Sequence, residues 1–231
     1  EGDALTARVI AIDGPAGSGK STTAKAVAAA LGLAHLDSGA LYRAITLAAL
    51  DRSLDLSDSG RLVALASDLP IELRLADVGY VPTISGDDVT MGVREGRVDR
   101  NVSEVAALAD VRNWVNEALA ACAEMHPAGV VVDGRDIGTV VFPSAVLKVY
   151  LHASPETRAA RRAKELSLHA DAVEVRRLTA EILARDAADS GRDVAPLAEA
   201  ADAVRVDTTE LTFDEQVARV VELASAAFDS S

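Results

Sequence analysis

The sequence predicts an α/β fold in which a parallel sheet of five strands lies between two layers of helices. Five short apolar runs, rich in β-branched residues, have the length of buried strands, and helical patterns separate them. A glycine-rich loop joins the first run to the first helical pattern. This alternation is typical of a three-layer α/β sandwich, which binds its ligands at the carboxyl ends of the strands.

The predicted strands are short, and they are apolar enough to be buried on both faces of the sheet. They are Arg8–Asp13, Ala34–Asp37, Gly129–Asp133, Ala145–Leu151 and Ala203–Asp207. The first predicted helix covers Lys20–Leu31, because good helix formers fill this stretch and Gly32 stops it. From Ser154 to Arg192 the chain is charged and mostly helical in pattern.

One segment departs from the parallel pattern. Between Ile71 and Gly96 apolar and polar residues alternate, and glycine, proline and paired aspartates interrupt them. This texture predicts a small antiparallel meander, with a hairpin turn at Asp87 and Asp88. Because helical stretches lie on either side of it, the meander indicates an inserted subdomain.

Composition and charge limit the classes of function. The chain of 231 residues has a net charge of −13, which repels nucleic acids at long range. Charged residues break its apolar runs well before the roughly 20 residues that a membrane-spanning helix needs. The single cysteine, Cys122, favours a structural thiol in a reducing compartment. These features predict a cytoplasmic protein with no nucleic-acid or membrane partner and, since no exposed apolar stripe stands out, a monomer.

The glycine-rich loop after the first predicted strand matches the phosphate-binding P-loop pattern, Gly-x-x-x-x-Gly-Lys-Ser. Its glycines allow backbone N–H groups and a helix N-terminus to face a phosphate together. Lys20 would extend a positive charge toward the β- and γ-phosphates of ATP, and the Ser21 hydroxyl would bind Mg²⁺. A glycine-rich turn without a nucleotide is disfavoured by the strand before the loop and the helix after it. The predicted ATP-binding residues of the loop are Gly14, Pro15, Ala16, Gly17, Ser18, Gly19, Lys20, Ser21 and Thr22.

Two further polar clusters follow predicted strands, at the sheet edge where the P-loop is expected. In Asp37–Arg43 an aspartate or serine would cap the next helix, while Arg43, one turn later, would pair with a phosphate. In Asp133–Gly138 two carboxylates flank an arginine, a set suited to phosphoryl transfer beside a metal. Capping alone would leave Arg43 unexplained, and a solvated turn remains the alternative for the second cluster.

Four motifs in this order resemble those of bacterial cytidylate kinases, and the resemblance covers nearly the whole chain. They are the P-loop, DSGALYR at residues 37–43, DGRDIGTVVFP at residues 133–143 and the pattern RDxxDxxRxVAPL at residues 185–197. The resemblance implies a kinase of pyrimidine nucleotide metabolism that uses ATP and Mg²⁺. Its substrates would be CMP and dCMP, and its products ADP with CDP or dCDP.

The resemblance also implies roles for individual residues. The CMP phosphate would be held by Arg43, Arg135 and Arg192, the cytosine read by Ser103, Arg112 and Asp136, and the ribose contacted by Arg185 and Asp189. Ser38 and Tyr42 complete the implied substrate-binding set. The lid arginines expected near the ATP phosphates are Arg158, Arg161 and Arg162. The catalytic set would be Lys20, Arg135, Asp136 and Arg192.

Finally, the resemblance implies a division of the chain. Residues 1–66 would form the P-loop half of the core, 67–110 an inserted monophosphate-binding subdomain, and 111–153 a second part of the core. A short lid and its following helix would occupy 154–190, and 191–231 would complete the core. The expected fold is therefore a P-loop three-layer sandwich with an insert and a lid.

Two other functions compete with this interpretation. A GTP-binding switch would need a guanine-reading Asn-Lys-x-Asp tetrapeptide, which does not occur in the sequence. A kinase acting on UMP or on a small alcohol would share the P-loop. The choice of cytosine rests on the resemblance alone.

Overall fold

The computed structural model describes residues 8–76, 79–166 and 171–229. Within these ranges the chain forms eight β-strands and eight α-helices. The strands are β1 (Val9–Asp13), β2 (Ala34–Asp37), β3 (Ile71–Ala76), β4 (Gly79–Ile84), β5 (Asp87–Asp88), β6 (Val130–Gly134), β7 (Leu147–His152) and β8 (Val204–Asp207). The helices are α1 (Lys20–Leu31), α2 (Ser38–Asp51), α3 (Ser59–Asp68), α4 (Gly96–Val105), α5 (Ala109–Glu124), α6 (Pro155–Glu165), α7 (Ala172–Ser190) and α8 (Phe213–Asp229).

The five predicted strands form one sheet, and this confirms the predicted fold class. Its strand order is β2-β6-β1-β7-β8. Strand β1 pairs in parallel with β6 and with β7, and β7 pairs in parallel with β8. All five residues of β1 and all five of β6 are buried, as their continuous apolar runs predict for strands covered on both faces.

The described chain folds into two compact units. One contains the residues up to Leu33 and those from Ala128 onward, and the other is Ala34–Pro127. The insert predicted at 67–110 lies within the second unit, and its residues 77 and 78 are outside the described residues. The lid predicted at 154–190 lies in the first unit, and its residues 167–170 are also outside them.

The core of the first unit forms where small residues of the helices meet β-branched residues of the sheet. The fully buried side chains Ile10 and Ile12 of β1 belong to the same apolar cluster as Ala24 and Val27 of α1. Helix α8 contributes Val220 and Ala224 to this cluster in the same way. Alanine faces allow a helix to lie close to the sheet, and the strand ends are thereby fixed in position.

Helix α1 begins and ends as its sequence predicts, at Lys20 and Leu31. Gly32 ends it in the left-handed conformation, with φ 68°, and the next N–H, from Leu33, donates to the carbonyl of Ala28. Gly19, the N-cap residue, has φ 89° and no side chain that could accept hydrogen bonds from the first N–H groups of the helix. The N-terminus of α1 is therefore left open for an anion.

The second unit contains a three-stranded antiparallel sheet of order β3-β4-β5, which confirms the predicted meander. The predicted hairpin turn at Asp87 and Asp88 is wrong, because these two residues form β5 and pair with β4. The turn lies instead at Ser85 and Gly86, with φ values of 54° and 86°. A type I′ hairpin turn needs positive φ at both central residues, which glycine supplies freely and serine at a cost.

Two further observations concern the class of protein. Among the described residues, no helix is both long and apolar enough to cross a membrane. Cys122 on α5 is a half-buried free thiol, and burial, followed by the nearby charge of Glu72, raises its pKa. A thiol with a raised pKa is a weak nucleophile, which supports the structural role predicted for it.

Gly129 offers a test of how the first unit is packed. A Cβ placed there would lie 2.5 Å from the carbonyl oxygen of Arg8, and φ is +114°. We expect Gly129→Ala to lower the free energy of unfolding by about 3 kcal/mol. Gly32→Ala is the matched control, because its φ is also positive but no atom lies within 4 Å of the added Cβ. It should cost only about 1 kcal/mol. Equal losses in urea denaturation would contradict the proposed clash.

Candidate active site

The P-loop follows β1, and close neighbours restrict the space for a side chain at Gly14 and at Gly17. A Cβ on Gly14 would lie 2.2 Å from the carbonyl oxygen of Leu151. A Cβ on Gly17, where φ is +73°, would lie 3.2 Å from the Cβ of Arg158. These contacts explain why glycine is required at both positions, and they fix the loop against β7 and α6.

Lys20 lies at the first position of α1 with its ammonium turned back into the loop. The side chain is buried, and its Nζ donates a hydrogen bond to the Pro15 carbonyl at 2.8 Å. Burial lowers the pKa of Lys20 well below its usual value of 10.5, and the positive charges of Arg135 and Arg185 lower it further. The charge of Asp133 opposes this shift. A buried cation beside other cations marks a place that an anion would stabilise.

Ser21 and Asp133 bring two oxygen atoms together beside the loop. The Ser21 hydroxyl donates to Oδ2 of Asp133 at 2.5 Å. Asp133 is 2% exposed and lies in β6, the strand that pairs with β1. A hydroxyl and a carboxylate at the end of a buried strand are the ligands that Mg²⁺ prefers. The adjacent Thr22 is exposed.

Asp13, the last residue of β1, connects the P-loop strand to the turn after β6. Its two carboxylate oxygens accept hydrogen bonds from the backbone N–H groups of Ile137, at 2.9 Å, and Gly138, at 2.8 Å. Burial, opposed by these two hydrogen bonds, raises the pKa of Asp13 from 3.8 to about 6. The turn held in this way carries Arg135 and Asp136. Sequence reasoning missed Asp13, and its one signal was a carboxylate ending a buried apolar strand.

The structure brings together three residues of the implied acceptor site. Arg135 Nε donates to Oδ2 of Asp189 at 3.0 Å, and Arg192 Nε donates to the Asp189 carbonyl at 3.0 Å. Burial alone would raise the pKa of Asp189, but the charges of Arg135, Arg192 and Arg185 outweigh it and lower the pKa. Asp136 is buried just after β6, and its charge acts on Asp13. All of these residues belong to the first unit.

On helix α6, Arg158 and Arg161 hydrogen-bond to the P-loop. Arg158 donates to the Ala16 carbonyl at 2.9 Å and forms an ion pair with Asp186. Arg161 donates to the Ser18 carbonyl at 3.3 Å and to the carbonyl of Thr208 at 2.6 Å. Arg162, by contrast, forms an ion pair with Glu165 of its own helix, at 2.7 Å.

Asp186 is a second residue that sequence reasoning missed. One of its carboxylate oxygens accepts a hydrogen bond from the backbone N–H of Ala16 at 2.9 Å, and the other accepts from Arg158. The residue stands in the RDxxD motif, so the motif drew attention to it without assigning it a role. It contacts the P-loop directly.

The second unit holds the remaining predicted residues. Arg43 on α2 forms an ion pair with Asp99 on α4, at 2.5 Å. The Arg112 guanidinium on α5 lies 5.4 Å from the centre of the Tyr42 ring and donates to the Ala106 carbonyl at 2.9 Å. Ser38 is buried at the start of α2, which Asp37 caps by accepting from the Ala40 N–H, and Ser103 is half-buried on α4. The predicted helix cap is thus confirmed.

Comparison with known proteins gives a consistent result. The family model described as cytidylate kinase matches residues 10–226. A cytidylate kinase from Exiguobacterium sibiricum is 47% identical over 218 residues, which cover 94% of this chain and 97% of that protein. One from Streptomyces avermitilis is 45% identical over 219 residues, or 95% and 93% of the two chains. One from Pseudomonas fluorescens is also 45% identical, over 94% of this chain and 95% of its own.

The raised pKa of Asp13 makes a pH-dependent contribution to stability. Because the folded protein binds this proton more tightly than the unfolded chain, the protonated group stabilises the fold below about pH 4. That stabilisation is lost as the pH rises through about 6. Between pH 5 and pH 8 we expect the free energy of unfolding of the wild type, measured relative to Asp13→Asn, to fall by about 1.4 kcal/mol. A pH-independent difference in urea denaturation would contradict the shift.

Proposed function

The chain belongs to the cytidylate kinase family and is an ATP-dependent phosphotransferase, and we propose that its acceptors are CMP and dCMP. It would transfer the γ-phosphoryl group of ATP to either one, giving ADP with CDP or dCDP. Relatives that are named cytidylate kinase and are 45% identical to this chain support this assignment.

The strongest support is the concentration of positive charge in the first unit. The chain as a whole carries a net charge of −13, yet the charges of Arg135 and Arg185 act on the buried Lys20. Grouping cations in a buried place costs free energy unless an anion joins them. Two nucleotides that meet through their phosphates supply such an anion. A single bound nucleotide would leave the arginines around Asp189 without a function.

On the donor side, the P-loop would hold the β- and γ-phosphates of ATP. The open N-terminus of α1 and the loop N–H groups supply hydrogen-bond donors. Lys20 Nζ, now bonded to the neutral Pro15 carbonyl, would transfer its hydrogen bond to a phosphate oxygen. The lowered pKa of Lys20 would rise again beside that anion, so the ammonium form is the form that binds.

We propose that Ser21 and Asp133 hold the Mg²⁺ ion of the nucleotide. Their oxygens already approach each other at 2.5 Å, and both are suitable ligands, so the residues present fit the ion. When bound, the ion would neutralise charge on the transferred phosphate. Asp133 is held by β6 and Ser21 by the first turn of α1, so neither ligand needs a mobile loop for its position.

On the acceptor side, we propose that Arg135 and Arg192 of the first unit and Arg43 of the second bind the phosphate of CMP. The attacking atom would be an oxygen of that phosphate, which is already ionised near neutral pH. No side-chain nucleophile or strong base is then needed, and catalysis rests on alignment and charge neutralisation. Asp189 would keep Arg135 oriented through its 3.0 Å hydrogen bond until the phosphate arrives.

We propose that Ser103, Arg112 and Asp136 read the cytosine and that Arg185 and Asp189 contact the ribose. A carboxylate, a guanidinium and a hydroxyl complement the exocyclic amine and the ring acceptors of cytosine. Arg112 is 2% exposed, and its planar guanidinium lies over the Tyr42 ring, which limits the directions in which its donors can point. Ser38 and Tyr42 would line this part of the substrate site.

We further propose that residues 67–110 form the monophosphate-binding insert and 154–190 the lid with its following helix. The three remaining segments, 1–66, 111–153 and 191–231, would form the core. The single cysteine and the use of ATP support a cytoplasmic location. A monomer is the oligomeric state that we expect in light scattering.

The acceptor is tested by offering ATP and Mg²⁺ with each nucleoside monophosphate in turn. We expect CMP and dCMP to be phosphorylated, UMP poorly, and activity to be lost with a chelator. Lys20→Ala should lower kcat by about 10²–10³ because charge stabilisation is removed. Lys25→Ala on the exposed side of α1 is the matched control and should behave as wild type. Activity of Lys20→Ala near that of wild type would refute the mechanism, and preference for another acceptor would refute the substrate.

The role of Asp189 is tested with the two sugars. Asp189→Ala should lower kcat/KM for both substrates, because Arg135 loses the carboxylate that orients it. If Asp189 also contacts a sugar hydroxyl, the loss for CMP should exceed that for dCMP by about tenfold, the value of one buried hydrogen bond to a charged group. Equal losses for CMP and dCMP would remove the sugar contact while leaving the effect on Arg135 intact.

A further inference from the structure

One residue of the P-loop, Ala16, is held from outside the loop at both its backbone polar groups, which belong to the two peptide groups on either side of it. The Ala16 N–H donates to one carboxylate oxygen of Asp186 at 2.9 Å. The Ala16 carbonyl accepts from Arg158 Nη1, also at 2.9 Å. The same Arg158 nitrogen forms an ion pair with the second oxygen of Asp186. Ala16, Arg158 and Asp186 therefore form a closed ring of hydrogen bonds between the loop, α6 and α7.

In this ring Arg158 is buried and Asp186 is partly buried. Arg158 is 3% exposed, and the Asp186 side chain is 15% exposed. The backbone of α6 also contacts the loop directly, because a Cβ on Gly17 would lie 3.2 Å from both the Cβ and the carbonyl oxygen of Arg158. Charge-assisted hydrogen bonds in a place that excludes water are stronger than exposed ones. They can therefore fix the orientation of the two peptide groups that flank Ala16.

The orientation of these two peptide groups matters for the residues that follow them. A P-loop binds phosphate through successive backbone N–H groups, whose directions depend on the peptide planes before them. Asp186 takes the Ala16 N–H, so this group is directed at the carboxylate while the loop continues toward Gly19 and the open end of α1. Loss of Asp186 would free the peptide groups on either side of Ala16 to rotate.

We propose that Asp186 is a positioning residue of the ATP-binding loop, acting on the Pro15–Ala16 peptide directly and on the Ala16–Gly17 peptide through Arg158. This inference rests on the proposed function for its ligand, ATP, and it adds to that function a residue that orients the loop without touching the nucleotide. Asp186 affects the donor nucleotide. Asp189, one turn later on α7, bonds to Arg135 and affects the acceptor.

The test separates the two nucleotides. Asp186→Asn keeps an oxygen that can accept from the Ala16 N–H but loses the charge that holds Arg158, whereas Asp186→Ala loses both. We expect KM for ATP to rise about tenfold in Asp186→Asn and further in Asp186→Ala, in line with the loss of charged hydrogen bonds. KM for CMP should stay within about twofold of wild type. This result separates a positioning role, which affects ATP alone, from general destabilisation, which would affect both substrates.

Glu181→Gln provides the matched control. Glu181 lies on the same helix, α7, and pairs with Arg177 on an exposed surface. This variant should leave both KM values unchanged. Titration calorimetry with ADP alone, on the wild type and Asp186→Asn, measures nucleotide binding without turnover. Asp186→Asn should bind ADP more weakly than the wild type, by about the same factor as the rise in KM for ATP.

The outcomes are distinct. Equal rises in KM for ATP and CMP, or unchanged ADP affinity in folded Asp186→Asn, would overturn the positioning role. Circular dichroism establishes folding, and Asp186→Asn decides the matter if Asp186→Ala does not fold. A wild type that binds ADP but does not phosphorylate CMP would refute the proposed function, whereas the ADP titration would still decide the role of Asp186.

Discussion

The structure of the first unit depends on holding several cations together before any phosphate is bound. Burial and like charges both oppose this arrangement, and they act together on Lys20. Carboxylates offset the cost by pairing with the arginines. Asp189 pairs with Arg135, and Asp186 pairs with Arg158. Ion pairs of this kind add little net stability when buried, but removal of one partner leaves an uncompensated charge. Their value lies in the positions that they impose.

Much of this arrangement was predictable from sequence because it follows local patterns. The apolar runs identified the strands of the parallel sheet, and Gly32 identified the end of α1. The predicted position of the hairpin turn was wrong because Ser85 adopts a positive φ, which is uncommon for serine and cannot be predicted from the residue type. The residues missed at the site have another cause. Asp13 and Asp186 bind backbone N–H groups 124 and 170 residues away in the chain, and a backbone donor has no sequence signature.

A sequence motif identifies residues at a site but does not assign the contact that each residue makes. A motif marks residue types that recur, so RDxxDxxR directed attention to Arg185, Asp189 and Arg192. The partner of each residue depends on the tertiary fold. Asp186 and Asp189 are three residues apart on α7 and lie on one side of the helix, yet the first bonds to the P-loop and the second to Arg135. Only the structure distinguishes these two roles.

The oxygen that accepts each arginine's hydrogen bond, a carboxylate or a neutral carbonyl, also indicates which contacts a phosphate would replace. A hydrogen bond to a carboxylate is about twice as strong as one to a neutral carbonyl. Arg158 is paired with Asp186, whereas the hydrogen bonds of Arg161 within the described chain go to the neutral oxygens of Ser18 and Thr208. Burial lowers the pKa of Arg161, as expected for a cation without a nearby anion. We therefore expect Arg161, rather than Arg158, to leave its present partners for the phosphates of ATP, while Arg158 stays bound to the loop.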